Sequence, residues 1–311
     1  MMQYLLVFLL FTSLTNCQDA DDNDSSEHGV GEGTLKTNCT CGWANKSPKR
    51  IIGGEEAGRN EWPMMAGIIA KQLRDMKNAF YCGASIITTR HIVTAGHCIH
   101  HDNGIPFKAE EIGIILAAHN LTQIDYDDPK VLITPEQLIK YPKYVWPTAY
   151  DIAIIIMPKI EFSQIIGPVC LPTGRFQVAN RILKVVGWGY ITPRGPGSDV
   201  LKKTRLIGHP HGNCLKVYKD VAGSVFELDE SSYQTCTSQP DTSQCRGDSG
   251  GPIMWVDPEI NRYVLVAAPS FATYECHKLP QVNTDITYFI PWIQQVIAET
   301  YPEERTCSKV S

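Results

Sequence analysis

The sequence predicts an all-β protein, and three observations carry that expectation. Short runs rich in β-branched residues recur at intervals, at 85–88, 111–117, 151–157, 182–186 and 264–267, each broken off by Gly, Pro or Asn. Only two segments, 212–218 and 291–300, read as helix. The chain has 311 residues, 43% hydrophobic and 20% charged, which gives ample apolar material for a full core. Strands this short and this regularly punctuated suit a barrel or a sandwich.

The β texture starts at Ile51, and what precedes it differs. Residues 1–17 hold an apolar run from Leu5 to Leu14 with a small-residue exit, the pattern of a signal peptide and too short for a membrane span. Residues 18–50 are polar, rich in Gly, Asp, Asn and Ser, and without hydrophobic period, so they read as a mostly disordered pro-segment. The net charge of −5 is largely local, with Asp19, Asp21, Asp22, Asp24 and Glu27 crowded together. No basic stripe exists to support nucleic-acid binding. Eleven cysteines fit an oxidising, extracellular compartment, and ten remain if Cys17 leaves with the signal peptide. Sequons at Asn23, Asn38, Asn45 and Asn120 fit the same secreted setting.

Three segments then supply a nucleophile, a base and an orienting acid. The base candidate is His97, in Thr94-Ala95-Gly96-His97-Cys98. The acid is Asp151, in Tyr150-Asp151-Ile152, and the nucleophile is Ser249, in Gly247-Asp248-Ser249-Gly250-Gly251-Pro252. A serine hydroxyl attacks poorly until an imidazole accepts its proton, and a buried carboxylate on the other ring nitrogen fixes the tautomer. The N–H groups of Gly247 and Ser249 form the candidate oxyanion hole, in which one donor is typically worth ~10²- to 10³-fold in rate. The looser G-x-S-x-G pattern of α/β-hydrolases is also met, but those enzymes place acid and histidine after the serine. Here only His277 follows it, and strand–helix alternation is lacking.

Lys49-Arg50-Ile51-Ile52-Gly53-Gly54 sets a basic cleavage site before a branched apolar residue. With the triad, it makes the chain resemble the chymotrypsin/trypsin family over about Ile51 to Tyr301. Cys39-Thr40-Cys41-Gly42-Trp43 and Asn60-Glu61-Trp62-Pro63-Met64-Met65-Ala66-Gly67 look most like insect venom and salivary serine proteases. The resemblance implies a trypsin-like fold over residues 51–311, two six-stranded antiparallel β-barrels with a C-terminal helix. It implies a zymogen cleaved between Arg50 and Ile51, whose new amine pairs with Asp248. It also implies disulfides Cys41–Cys170, Cys82–Cys98, Cys214–Cys236 and Cys245–Cys276, and leaves Cys39 and Cys307 as a candidate fifth pair. One common bridge of the family is missing, since its positions hold Leu183 and Trp255. Where some trypsins bind calcium, the first ligand position falls on Ala118, so neither a structural metal nor any cofactor is expected.

The same resemblance places Ser243 on the floor of the specificity pocket, where trypsins carry Asp. Gln244 lies beside it, Ser270-Phe271-Ala272 forms one wall, and Gln281 stands where a second wall glycine is usual. An uncharged floor leaves a substrate cation without a partner, so small or medium uncharged residues are expected before the scissile bond. The function implied is that of a secreted, extracellular serine endopeptidase. Its partners would be protein or peptide substrates, an activating trypsin-like protease and protease inhibitors. The competing reading is a secreted non-catalytic homologue acting as a binding or regulatory module.

Overall fold

The computed structural model describes residues 28–45, 55–71, 80–126, 128, 131–190, 196–221, 233–238, 246–272 and 279–310. Among the described residues, fourteen strands and two α-helices follow in order. The first eight strands are β1 Glu55–Glu56, β2 Met65–Ala70, β3 Phe80–Ile86, β4 His91–Thr94, β5 Ile112–Leu116, β6 Leu132–Ile133, β7 Gln137–Lys140 and β8 Ala153–Ile156. Next come β9 Ile182–Gly187, β10 Lys202–His209, helix α1 His211–Val221 and β11 Gln234–Ser238. The chain closes with β12 Ile253–Asp257, β13 Arg262–Phe271, β14 Gln281–Asp285 and helix α2 Ile286–Thr300.

Among the described strands every pairing is antiparallel, and they make two sheets. The N-terminal sheet runs β6-β5-β2-β3-β4-β8-β7. In the C-terminal sheet β9 bonds both β12 and β10, which closes β10-β11-β14-β13-β12-β9 into a six-stranded barrel, with β1 added on the outside of β10. Together these are the trypsin-like architecture. Each sheet has its own core. Ile68, Ile86, Ile92, Ile114 and Ile155 fill the first, and Leu183, Val185, Leu206, Ile253 and Val266 fill the second. A third cluster, with Val93 and Ile154 from one sheet and Val186, Met254 and Leu265 from the other, glues the two together. The candidate site residues lie along this seam.

Two differences from the sequence reading have physical causes. Helix α2 starts five residues before Pro291, because Asp285 caps it: its Oδ1 accepts from Thr287 N (2.9 Å) and Thr287 Oγ1 (2.6 Å). The proline therefore sits inside the helix instead of at its first turn. Residues 28–45 also do more than the expected disordered segment. Leu35 N donates to Glu259 O (2.7 Å), Thr37 bridges Lys309, and Ser308 N donates to Asn38 Oδ1 (2.8 Å). Disulfides Cys39–Cys307 and Cys41–Cys170 fix the same stretch to the C-terminal sheet and tail. Cross-links and backbone hydrogen bonds need no hydrophobic period, so composition alone misreads such a segment.

Where the family's missing bridge would lie, apolar packing takes over. Leu183 is fully buried, and the Trp255 and Phe176 rings pack at a tilt, with centroids 4.6 Å apart. The Arg181 guanidinium lies 5.6 Å from the Trp255 ring centroid and 5.8 Å from that of Phe176.

Candidate active site

The short 3₁₀ turn Gly96–Ile99 follows β4 directly and carries His97. Its geometry is set from both sides. Tyr144 packs so closely on Gly96 that a methyl group there would meet its ring at 2.7 Å. His100 Nδ1 donates to Gly96 O (2.8 Å), and the Cys82–Cys98 disulfide staples the turn to β3.

Asp151 lies just before β8 and is 1% exposed. The residue before it, Tyr150, holds a left-handed backbone (φ 51°), which costs a non-glycine residue ~1–3 kcal/mol. Stacking holds it there, since its ring lies 4.1 Å from Tyr233 and 5.7 Å from Tyr141. So turned, the Asp151 carboxylate meets His97 twice. Oδ1 accepts from His97 N at 2.8 Å, and Oδ2 lies 2.8 Å from His97 Nδ1. Ser270 Oγ also donates to Oδ2 (2.5 Å), and Thr284 Oγ1 donates to the Asp151 carbonyl (2.6 Å). Burial alone would lower the His97 pKa from 6.5, but the charge of Asp151 and its hydrogen bond outweigh burial, and the net movement is upward.

Ser249 sits on the tight turn that follows residue 247. Gly251 N donates to Asp248 O (3.0 Å) inside the turn, Gly250 N to Pro269 O (2.9 Å) on β13, and Gly83 N on β3 to Ser249 O (2.8 Å). Gly247 and Gly250 have φ of 94° and 71°. At Gly250 a side chain would be strained and would also overlap Thr94 Oγ1 and Ala95 N, at the very end of β4. The serine turn is thus packed against the strand that delivers His97. The neighbouring Asp248 points away from it, accepting from Gly189 N at 2.9 Å. A methyl group on Gly187 or Gly189 would overlap that carboxylate, so with either one the Asp248 side chain would have to move. Trp188 between them is fully buried and donates Nε1 to His119 O (3.1 Å).

Sequence similarity now joins the geometry. A family model described as Trypsin matches residues 51–293. The chain belongs to the trypsin family. Among curated relatives, Venom serine protease 34 of Apis mellifera is 34% identical over 83% of this chain and 60% of its own length. A venom serine protease of Polistes dominula is 31% identical over 85% of the chain and 91% of its own length. The proclotting enzyme of Tachypleus tridentatus is 30% identical over 82% of the chain and 68% of its own length. The chain therefore spans well under two thirds of the honeybee relative and nearly all of the wasp one.

In this trypsin-family chain, His97, Asp151, Ser249, Gly247 and Asp248 all fall along the seam between the two sheets. Arg50, Ile51, Ser243, Gln244, Cys245, Cys276 and Asn23 lie outside the described residues. Cys214–Cys236 forms beside α1. Ser270, read from sequence as a pocket wall, has its hydroxyl on Asp151. Phe271 packs edge-on to Tyr218 at 6.2 Å, Ala272 is half-buried after β13, and Gln281 is buried in β14 opposite Thr237. The donor atoms of Cys82, His97 and Cys98 lie within 4.8 Å of one another, but both sulfurs are committed to a disulfide and supply no thiolate for a metal. Sequence reasoning missed Thr284, Tyr144 and Tyr233. Each comes from a distant element, and no local pattern marks any of them. Two sequon amides are engaged: Asn45 Nδ2 donates to Asn60 O (2.6 Å) and Gln164 O (2.8 Å), and Asn38 Nδ2 to Thr306 O (3.3 Å). At Asn120 it is the side-chain oxygen that is engaged, accepting from Thr122 N (2.9 Å) and Thr122 Oγ1 (2.8 Å). Among the described residues, no helix is long and apolar enough to cross a membrane.

Proposed function

We propose that the chain is a secreted serine endopeptidase that hydrolyses peptide bonds through an acyl-enzyme. The observation that carries this reading is the buried Asp151 carboxylate, which takes both His97 N and His97 Nδ1 at 2.8 Å. Ser249 Oγ attacks the scissile carbonyl while His97 Nε2 takes its proton. Asp151 holds the Nδ1–H tautomer and offsets the imidazolium charge. The N–H groups of Gly247 and Ser249 receive the oxyanion. His97 then protonates the leaving amine, and water, deprotonated by the same ring, releases the acyl group.

Activation is proposed to follow cleavage after Arg50, with the Ile51 ammonium pairing with Asp248 and so ordering the oxyanion turn. The glycine cradle around Asp248 supports this, because it holds the carboxylate away from the Ser249 side. The uncharged Ser243 supports cleavage after small or medium uncharged residues. Asn120 is proposed as the glycan acceptor in preference to Asn45, whose amide nitrogen is occupied twice.

A fluorophosphonate probe tests the reading. Chain cleaved after Arg50 should label on Ser249, while uncleaved Arg50→Gln and cleaved Ser249→Ala should stay dark. Cleaved chain that fails to label would make it a non-catalytic binding module. Among peptides matched except for Ala, Val, Phe or Arg before the bond, a tenfold preference for Arg, about 1.4 kcal/mol, would overturn the neutral pocket.

A further inference from the structure

His91 opens β4, is completely buried, and has no part in the chemistry proposed above. Its hydrogen bonds can be counted proton by proton. On one side, Nε2 lies 2.8 Å from Thr300 Oγ1 in the last turn of α2. The Thr300 hydroxyl proton is already given to Val296 O (2.7 Å), so this oxygen accepts and Nε2 carries the hydrogen. On the other side, Nδ1 lies 2.7 Å from Thr88 Oγ1. That oxygen accepts from Arg90 N (3.1 Å) and from His91 N (3.0 Å), which fills its two lone pairs, and its own proton goes to Nδ1. Only the neutral Nε2–H imidazole satisfies every partner. A second ring proton, on Nδ1, would point at an oxygen with no lone pair left.

The bond to Thr300 spans a structural boundary. Helix α2 is capped by Asp285, beside the Thr284 that donates to the Asp151 carbonyl, and its last residue, Thr300, meets His91. Strand β4 begins at His91 and runs into the turn that bears His97. The same junction carries Glu304, whose carboxylate takes Thr89 N (3.1 Å) and Thr89 Oγ1 (2.6 Å).

We propose that His91 is an acid-sensitive latch, neutral when closed, that ties the C-terminal helix to the N-terminal sheet and releases it when the ring is protonated. The charged groups around it do not rescue the imidazolium. Glu303 and Glu304, beyond α2, favour it, and Arg90 on its own turn opposes it. Arg90 lies 4.1 Å from the Tyr301 ring centroid and 3.6 Å from Glu136, and Tyr301 itself offers His91 only a ring edge at 6.0 Å. From β8 the facing residue is the apolar Ile156. Burial dominates, and the pKa is lowered from 6.5 to about 4. A depressed folded pKa makes the unfolded chain the better proton binder, so the latch weakens as pH falls from 6.5 towards 4.

The test compares urea unfolding of the uncleaved chain and of its His91→Gln variant between pH 7 and pH 4. Glutamine can accept from Thr88 and donate to Thr300 without titrating. The unfolding constant of the wild type should rise about 100-fold more than that of the variant over this range, the factor set by a pKa of 6.5 in the unfolded chain and about 4 in the folded one. Parallel profiles overturn the proposal. Should the variant not fold, the wild type decides alone. Its α2 amides should lose hydrogen-exchange protection on going from pH 7 to pH 4.5, and the His91 ring should stay neutral at pH 6 by NMR. Undiminished protection, or a ring that titrates near 6.5, overturns the latch, and neither readout depends on whether the chain is an active protease.

Discussion

His91 and His97 stand six residues apart at the two ends of one strand and turn, the first completely buried and the second half-buried, and their acidities move in opposite directions. Burial pushes both imidazoles towards the neutral form. At His97 that push is overcome by a carboxylate at 2.8 Å, itself held by Ser270 and by the His97 backbone. At His91 the direct partners are two threonine hydroxyls with no charge to give, and burial wins. Environment is therefore no guide to a histidine's role until its partner is known. One ring has a partner that favours its protonated form, and the other has partners that hold it neutral.

The comparison is broken most severely at Asp151. Asp151→Asn removes the charge that raises the His97 pKa and offers Nδ1 an amide in place of an obligate acceptor. The kcat should fall by about 10⁴-fold, the size expected when this carboxylate is lost from a triad. The acid limb of kcat/KM, expected above pH 6.5 in the wild type because the His97 pKa is raised, should move down, since burial then acts unopposed. Steady-state rates from pH 5 to 9 on a peptide amide check both. A limb that stays in place would mean that Asp151 does not set the acidity of His97.

A milder break is Ser270→Ala. It takes one donor from Asp151 Oδ2 and leaves both His97 contacts standing. A hydrogen bond to a charged group is worth ~1.5–3 kcal/mol, so a fall in kcat of about tenfold or somewhat more is expected with KM little changed. A variant with wild-type kcat and raised KM would return Ser270 to the pocket-wall role read from the sequence.

Legibility followed the range of the interaction. The candidate triad could be picked out because each member sits in a short stereotyped stretch, such as Gly96-His97-Cys98 or Gly247-Asp248-Ser249-Gly250. The β-rich texture was readable because alternation and turn residues are local. What positions the candidate residues was not. Thr284, Tyr144 and Tyr233 are ordinary residues made relevant by strand order, which no window of sequence encodes. His91 likewise reads as one more polar residue before an apolar run, and only the approach of Thr300, from 209 residues away, gives it a role. Residues 28–45 misled for the opposite reason. Their composition is that of a disordered chain, yet two disulfides order them from outside.

The smallest effect sharpens the comparison from the side of His91. Among the groups that raise its pKa, Glu304 comes first, acting through charge alone while its oxygens hold Thr89. Glu304→Gln keeps an acceptor for Thr89 but removes that charge. The His91 pKa should then drop further below its value of about 4. The effect is expected to be small, because a charge with no direct contact to the ring is partly screened at ordinary ionic strength. The sign follows from linkage. A lower folded pKa widens the window in which only the unfolded chain binds the proton, so acid destabilisation persists to lower pH. Titration of the His91 ring resonance by NMR in the two proteins resolves a shift of this size, and added salt should move the wild type in the same direction. A midpoint that rises in Glu304→Gln would show that the Thr89 contacts, and not the charge of Glu304, govern this ring, and His91 would then differ from His97 in the nature of its control as well as in its partner.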